Sequence, residues 1–177
     1  MRHLFTIIIL TISSCSLTQT TQQEMKLDLS GQKLKEIPDS VFQKQNLTYL
    51  DLGSKSPISY PPLSALVDTN ANLLTEIPNK IGRLTKLTTL ILNSNQLTRL
   101  PDSIINLSKL EILDLSLNRD LDIISEIEKI KHLPNLKILK ISETKISRAD
   151  MQGIKSQFPN DTKIILSSPE YFESLKR

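Results

Sequence analysis

The chain has no tryptophan, one cysteine, two histidines and four glycines in 177 residues, and only 4% of it is aromatic. Each shortage removes a class of function. With so few rings, leucine and isoleucine must fill the core. A single cysteine has no partner for an internal disulfide, and one thiol with two histidines cannot supply the four Cys/His ligands of a structural zinc site. Four glycines, with no Gly-x-Gly-x-x-Gly or Walker-type run, argue against a loop that cradles phosphate. Charge of one sign is scarce too: 22 basic and 19 acidic residues leave +3, without the concentrated basic footprint of a nucleic-acid binder. No cofactor, metal or nucleic acid is expected. At this length, with 38% hydrophobic residues, one core is expected and a second domain is not.

Leucine is plentiful and regularly placed. In "LTKLTTLILNSNQLTRLPDSIINL", residues 84–107, it stands at 84, 87, 90, 92, 97, 100 and 107. These gaps fit neither a helix of period 3.6 nor a strand of period 2 throughout. They suit a unit that changes conformation partway along. Taking the first residue of each "LxL" pair as a phase marker gives Leu27, Leu50, Val67, Leu90, Leu113, Leu139 and Ile164, in steps of 23, 17, 23, 23, 26 and 25. Eleven residues after the marker, proline recurs at Pro38, Pro61, Pro78 and Pro101.

This pattern resembles the leucine-rich repeat family in its short bacterial form, "LxxLxLxxNxLxxLP", over residues 25–168. The resemblance implies an α/β solenoid of about seven repeats with a parallel β-sheet on its concave face. Each "LxL" is then a short strand whose leucines point inward. Asn72, Asn95 and Asn118, five residues past a marker, are placed to bond the backbone of neighbouring turns. Gln32, Lys55 and Thr144 depart from that rule, and Lys55 most seriously, because an ammonium accepts no bond and is costly to bury. The 17-residue second unit, with Pro57, Pro61 and Pro62, reads as a short repeat with an extended link. Ile123, Ile124, Ile127 and Ile130 predict a helix over 122–132. Ser147 and Asp150 predict a capped helix running to about Phe158. Residues 169–177 are expected to cap the stack, with Ser168 before the helix, Pro169 in its first turn, and Tyr171, Phe172 and Leu175 on one face.

The N-terminus has a different character. "MRHLFTIIILTISSC" has a basic start, an apolar run from Leu4 to Ile12 and small residues before Cys15. That is a secretory signal layout, too short for a bilayer span of about 20 residues. "ISSC" resembles a bacterial lipobox, which implies a signal peptide over 1–14 and lipid on Cys15, with residues 15–24 as polar tether. The expected location is then the cell envelope, lipid-anchored to a bacterial membrane and in particular the outer membrane. An ordinary signal peptide with a chance cysteine is the competing reading.

Catalysis has few candidates. His132 has no partner base or nucleophile at a motif spacing, and Asp120 and Asp122 lack the dense ligand spacing of a calcium loop. Nor do residues 169–177 leave room for a catalytic domain, so no enzyme is expected. The patterned surface is the concave face. Between the paired leucines stand Asp28, Asp51, Asp68, Ile91, Asp114, Lys140 and Ile165, and the column before them contains Tyr49, Leu66, Thr89, Ile112 and Ile138. The acidic column is either a site for a basic ligand or family wording. With Leu117, the apolar stripe suggests a protein or peptide partner or simply tight strand packing. Family resemblance implies a non-enzymatic, protein-binding module, membrane-anchored as a lipoprotein. The alternative is a cytoplasmic scaffold or signalling adaptor in which residues 4–12 are no signal.

Overall fold

Leu27, Leu50, Leu90, Leu113, Leu139 and Ile164 stand side by side in six parallel strands, stacked in chain order. The structure is a computed structural model that describes residues 24–54 and 71–175. Its strands are β1 (Met25–Asp28), β2 (Leu47–Asp51), β3 (Thr89–Ile91), β4 (Ile112–Asp114), β5 (Ile138–Lys140) and β6 (Lys163–Ile165). In the inner repeats both leucines of the pair are sealed: Leu50, Leu52, Leu90, Leu92, Leu113 and Leu115 are all 0% exposed. The chain is therefore a leucine-rich repeat solenoid with its sheet on the concave side.

The strand count is a correction. β2 pairs directly with β3, Leu50 opposite Leu90, and the Leu52 N–H donates to the Ile91 carbonyl at 2.8 Å. The strand expected at Val67–Thr69 lies outside the described residues and has no place between these two. The described sheet accordingly has six strands, not seven. Leu50 and Leu90 are 40 residues apart, a 23-residue unit carrying 17 extra residues.

Asparagine bonding locates the extra residues. Asn95 Nδ2 donates to the carbonyls of Leu52 and Leu92, both at 3.0 Å. Asn118 Nδ2 does the same for Leu92 and Leu115 at 3.0 and 2.8 Å. Asn72 Nδ2 donates to Leu29 and Leu52, both at 2.9 Å, so Asn72 belongs to the repeat that begins at Leu50. Residues 55–71 are an insertion between Ser54 and Asn72. Lys55 is no exception to the asparagine rule, because its assigned position is filled by Asn72. Each Asn oxygen in turn accepts from the preceding unit: from Leu34 and Gln32 N–H at Asn72, Leu74 at Asn95 and Leu97 at Asn118. Thr144 substitutes in part, donating from Oγ1 to the Ile141 carbonyl at 2.8 Å.

On the convex side each described proline eleven residues after a marker, or at the equivalent place after the 55–71 segment, starts a 3-10 helix. Pro38, Pro78 and Pro101 precede Asp39–Gln43, Asn79–Arg83 and Asp102–Asn106, and their carbonyls accept from Val41, Ile81 and Ile104. Proline suits that position because its fixed φ pre-sets the turn and no N–H is wanted there. Pro61 lies outside the described residues. Later units carry longer helices. The first, α1 (Ile123–Lys131), is capped by Asp122, whose carboxylate accepts from Ser125 N–H. The second, α2 (Arg148–Ile154), is capped by Ser147, which bonds reciprocally with Asp150, and continues through a 3-10 turn to Phe158. Lys129 pins α1 to the preceding repeat: its Nζ lies 2.8 Å from the Leu100 carbonyl, 3.0 Å from Glu126 and 3.2 Å from Asp102. Burial lowers the Lys129 pKa, but bonds and charge from Glu126 and Asp102 more than offset it, leaving it raised.

The two ends differ. At the C-terminal end α3 (Ser168–Leu175) follows β6, and Ile164 and Leu166 are 7% and 8% exposed. The cap falls one residue before the expected Ser168. Ser167 Oγ accepts from Glu170 N–H at 3.5 Å, and Glu170 Oε2 accepts from Leu166 N–H at 3.2 Å. The side chains of Tyr171, Phe172 and Leu175 lie outside the described residues. At the N-terminal end Leu27, Leu29 and Leu34 are only partly buried, and Met25 is 40% exposed.

Candidate protein-binding face

Two columns of side chains run across the concave face, in register from strand to strand. One reads Lys26, Tyr49, Thr89, Ile112, Ile138, Lys163; the other reads Asp28, Asp51, Ile91, Asp114, Lys140, Ile165. Beyond the strands the chain leaves through a left-handed residue: Gly31, Ser94, Leu117 and Glu143 have φ of 64°, 58°, 63° and 56°. A leucine in that region is costly for its Cβ. The Leu117 side chain is half-buried.

The acidic column has a local cause. Asp28 accepts from Ser30 N–H at 2.9 Å, Asp51 from Gly53 N–H at 2.9 Å and Asp114 from Ser116 N–H at 3.1 Å. Each is an Asx turn that satisfies a backbone donor where the strand ends. This explains why Asp recurs there whether or not a ligand uses it. Asp68 lies outside the described residues. Tyr49 donates its hydroxyl to Asp51 Oδ2 at 3.2 Å. Burial, then the Asp51 charge and bond, then Asp28, push the phenol up to about 12, so it remains a donor at any physiological pH.

Asp114 departs from the expected exposure. It is 3% exposed, and burial pushes its carboxyl up to about 6; Lys140 and the Ser116 bonds offset this only in part. The Lys140 ammonium stands 3.7 Å from Asp114 Oδ2 with its own side chain 14% exposed. Sequence reasoning named both residues without pairing them. Their identical offsets in adjacent repeats were the available signal, because equal offset means lateral contact in a parallel stack.

The apolar residues of the two columns are divided between them. Ile112 lies opposite Thr89 and Ile138, Ile91 is flanked by Asp51 and Asp114, and all three isoleucines are half-buried. Ile165 is the exception at 1% exposed. Elsewhere the chemistry is structural. His132 Nδ1 donates to the Glu128 carbonyl at 2.6 Å at the end of α1, and Asp122 is the cap of that helix. Among the described residues, no group of three or more His, Cys, Asp or Glu stands together to hold a metal.

The family model described as Leucine Rich Repeat matches residues 86–107, the unit that contains β3 and Asn95. No curated protein matches the chain. Solved structures similar to it include the plant peptide hormone receptor RGFR1 in complex with RGF2, 26% identical over 74% of this chain and 18% of that one, with a TM-score of 0.47. An internalin from Listeria monocytogenes is 19% identical over 75% of this chain and 45% of its own, TM-score 0.42. A leucine-rich repeat protein of Leptospira interrogans is 24% identical over 78% and 48%, TM-score 0.33. The chain spans less than half the length of each of these proteins.

Proposed function

We propose that this leucine-rich repeat solenoid is a non-enzymatic protein-binding module that meets its partner on the concave face and is held to a bacterial membrane by lipid on Cys15. The observation that carries the binding reading is the in-register pair Ile112 and Ile138, with Ile91 in the neighbouring column, all three half-buried on the strands of the concave face. Half-buried isoleucines on adjacent strands offer a partner apolar area on a rigid frame. Polar groups beside them, Tyr49 with Asp51 and Lys140 with Asp114, supply direction. Support for the anchor is the sequence around Cys15 and the polar stretch that follows it.

A photo-crosslinking amino acid at Ile112 is expected to trap a discrete protein adduct in cells. The same probe at Ile105, 44% exposed on the convex side, is expected to trap none. Adducts from Ile105 alone would remove the concave face from the proposal. For the anchor, an alkyne-bearing fatty acid is expected to label the wild type and not Cys15→Ser. An unlabelled wild type would leave the cytoplasmic scaffold as the reading.

A further inference from the structure

The outer edge of β1 is an open strand: among the described residues the sheet begins there, and only β2 pairs with it. Leu29 N–H donates to Asp51 and Gly31 N–H to Gly53, so Leu27 and Leu29 face β2 through their backbones. Backbone groups alternate along a strand; those of Lys26 and Asp28 therefore point away from the sheet. The side chains alternate as well. Met25, Leu27 and Leu29 lie on the core side, partly uncovered, and Lys26 and Asp28 lie on the concave side and are exposed.

We propose that a second copy of this chain docks on this edge, its β1 antiparallel to the first about a two-fold axis at Leu27. The reasoning is charge complementarity in one register. With Leu27 opposite Leu27 of the other copy, Lys26 faces Asp28 twice over, and Met25 faces Leu29 on the core side. The residues that exchange backbone bonds are then Lys26 and Asp28, whose backbone groups point outward. Shifting the register by one pair in either direction sets Lys26 against Lys26 or Asp28 against Asp28, and like charges directly opposite are unfavourable. Asp28 keeps its bonds to Ser30 in this arrangement, and Lys26 gives up only an exposed 3.6 Å contact with Glu24, which is weak. The pairing extends one sheet across two copies and covers leucines that the first repeat leaves half-open. It lies at the end of the stack, separate from the isoleucines on which the concave-face proposal rests.

The test uses the full chain in detergent, followed by sedimentation velocity over a concentration series. A reversible dimer is expected. Lys26→Asp or Asp28→Lys should each weaken it about tenfold or more, since two facing pairs become repulsive. Mixing the two single variants should restore association, because each then faces the other with opposite charge. Far-UV circular dichroism confirms that both variants are folded, and the mixture itself reports it. In a Cys15→Ser background, Leu27→Cys should form an intermolecular disulfide on mild oxidation, because facing residues in this kind of pair are close enough to bridge. A chain that is monomeric at every concentration overturns the proposal. So does a dimer that neither charge swap weakens.

Discussion

The Asn72 side-chain amide donates to the Leu52 carbonyl at 2.9 Å across 20 residues of sequence, closing the second repeat over an insertion. Its other bonds reach Leu29, Gln32 and Leu34, so one buried carboxamide joins the first two units. Asn72→Ala should lower stability by at least about 3 kcal/mol, since several buried backbone groups lose their partner at once. Urea unfolding followed by circular dichroism measures this. Deleting residues 55–71, which joins Ser54 to Asn72 in a regular 23-residue unit, should leave a folded domain that melts no lower than the parent. Loss of the fold would make that segment an integral repeat.

Asp114 makes a pH-dependent contribution whose sign follows from its raised pKa. Its carboxyl titrates at about 6 when folded against 3.8 as the ordinary value. The folded state therefore holds the proton more tightly, and the stability this gives is full below about pH 4 and lost as pH rises through about 6. Asp114→Asn keeps the group neutral. The variant should be more stable than wild type by roughly 2–3 kcal/mol at pH 8, because each tenfold change in proton affinity is worth about 1.4 kcal/mol. Below pH 4 the two should be equal. Thermal melts from pH 4 to 8 would show two curves converging at the acid end.

Gly53 is required by the approach of a neighbour. A β-carbon there would meet Asn93 Oδ1 at 1.9 Å and the Asn93 carbonyl oxygen at 3.2 Å. Gly53→Ala should cost roughly 1–3 kcal/mol, the usual range for overpacking. Adding Asn93→Ala should recover part of that loss, so a double-mutant cycle is expected to give a coupling of the opposite sign.

Leu117 holds a φ of 63°, where asparagine is tolerated better than leucine. Leu117→Asn should raise the melting temperature by the equivalent of about 1 kcal/mol. A lower melting temperature would show that the half-buried leucine side chain contributes more than its backbone costs.

Much of this architecture was legible because repetition multiplies each weak signal. Leu27, Leu50 and Leu90 set the phase of the sheet, Pro38, Pro78 and Pro101 set the convex turns, and Ser147 with Asp150 marked a helix start. Val67 and Thr69 read as an "LxL" pair in the sequence, but the direct pairing of β2 with β3 leaves no strand between Leu50 and Leu90 in the described sheet. Lys55 was the clue. A lysine at a position that must accept bonds signals a wrong phase, and the next asparagine at the same offset, Asn72, restores it. Two features at the face were not legible. Burial of Asp114 depends on how the chain packs around it, and the left-handed backbone at Ser94, Leu117 and Glu143 has no glycine to announce it. Gly31 alone did so.

The junction between Ser54 and Asn72 has a consequence for how such a domain can be varied. The carboxamide that closes the turn bonds to Leu29 and Leu52 through space and takes no account of how much chain precedes it. A loop's closure cost also grows only slowly with its length. The array thus has a splice point beside its concave surface, where foreign sequence can be grafted without renumbering the stack. Diversity in what the domain recognises can then arise by exchanging one cassette while the six described strands stay as they are.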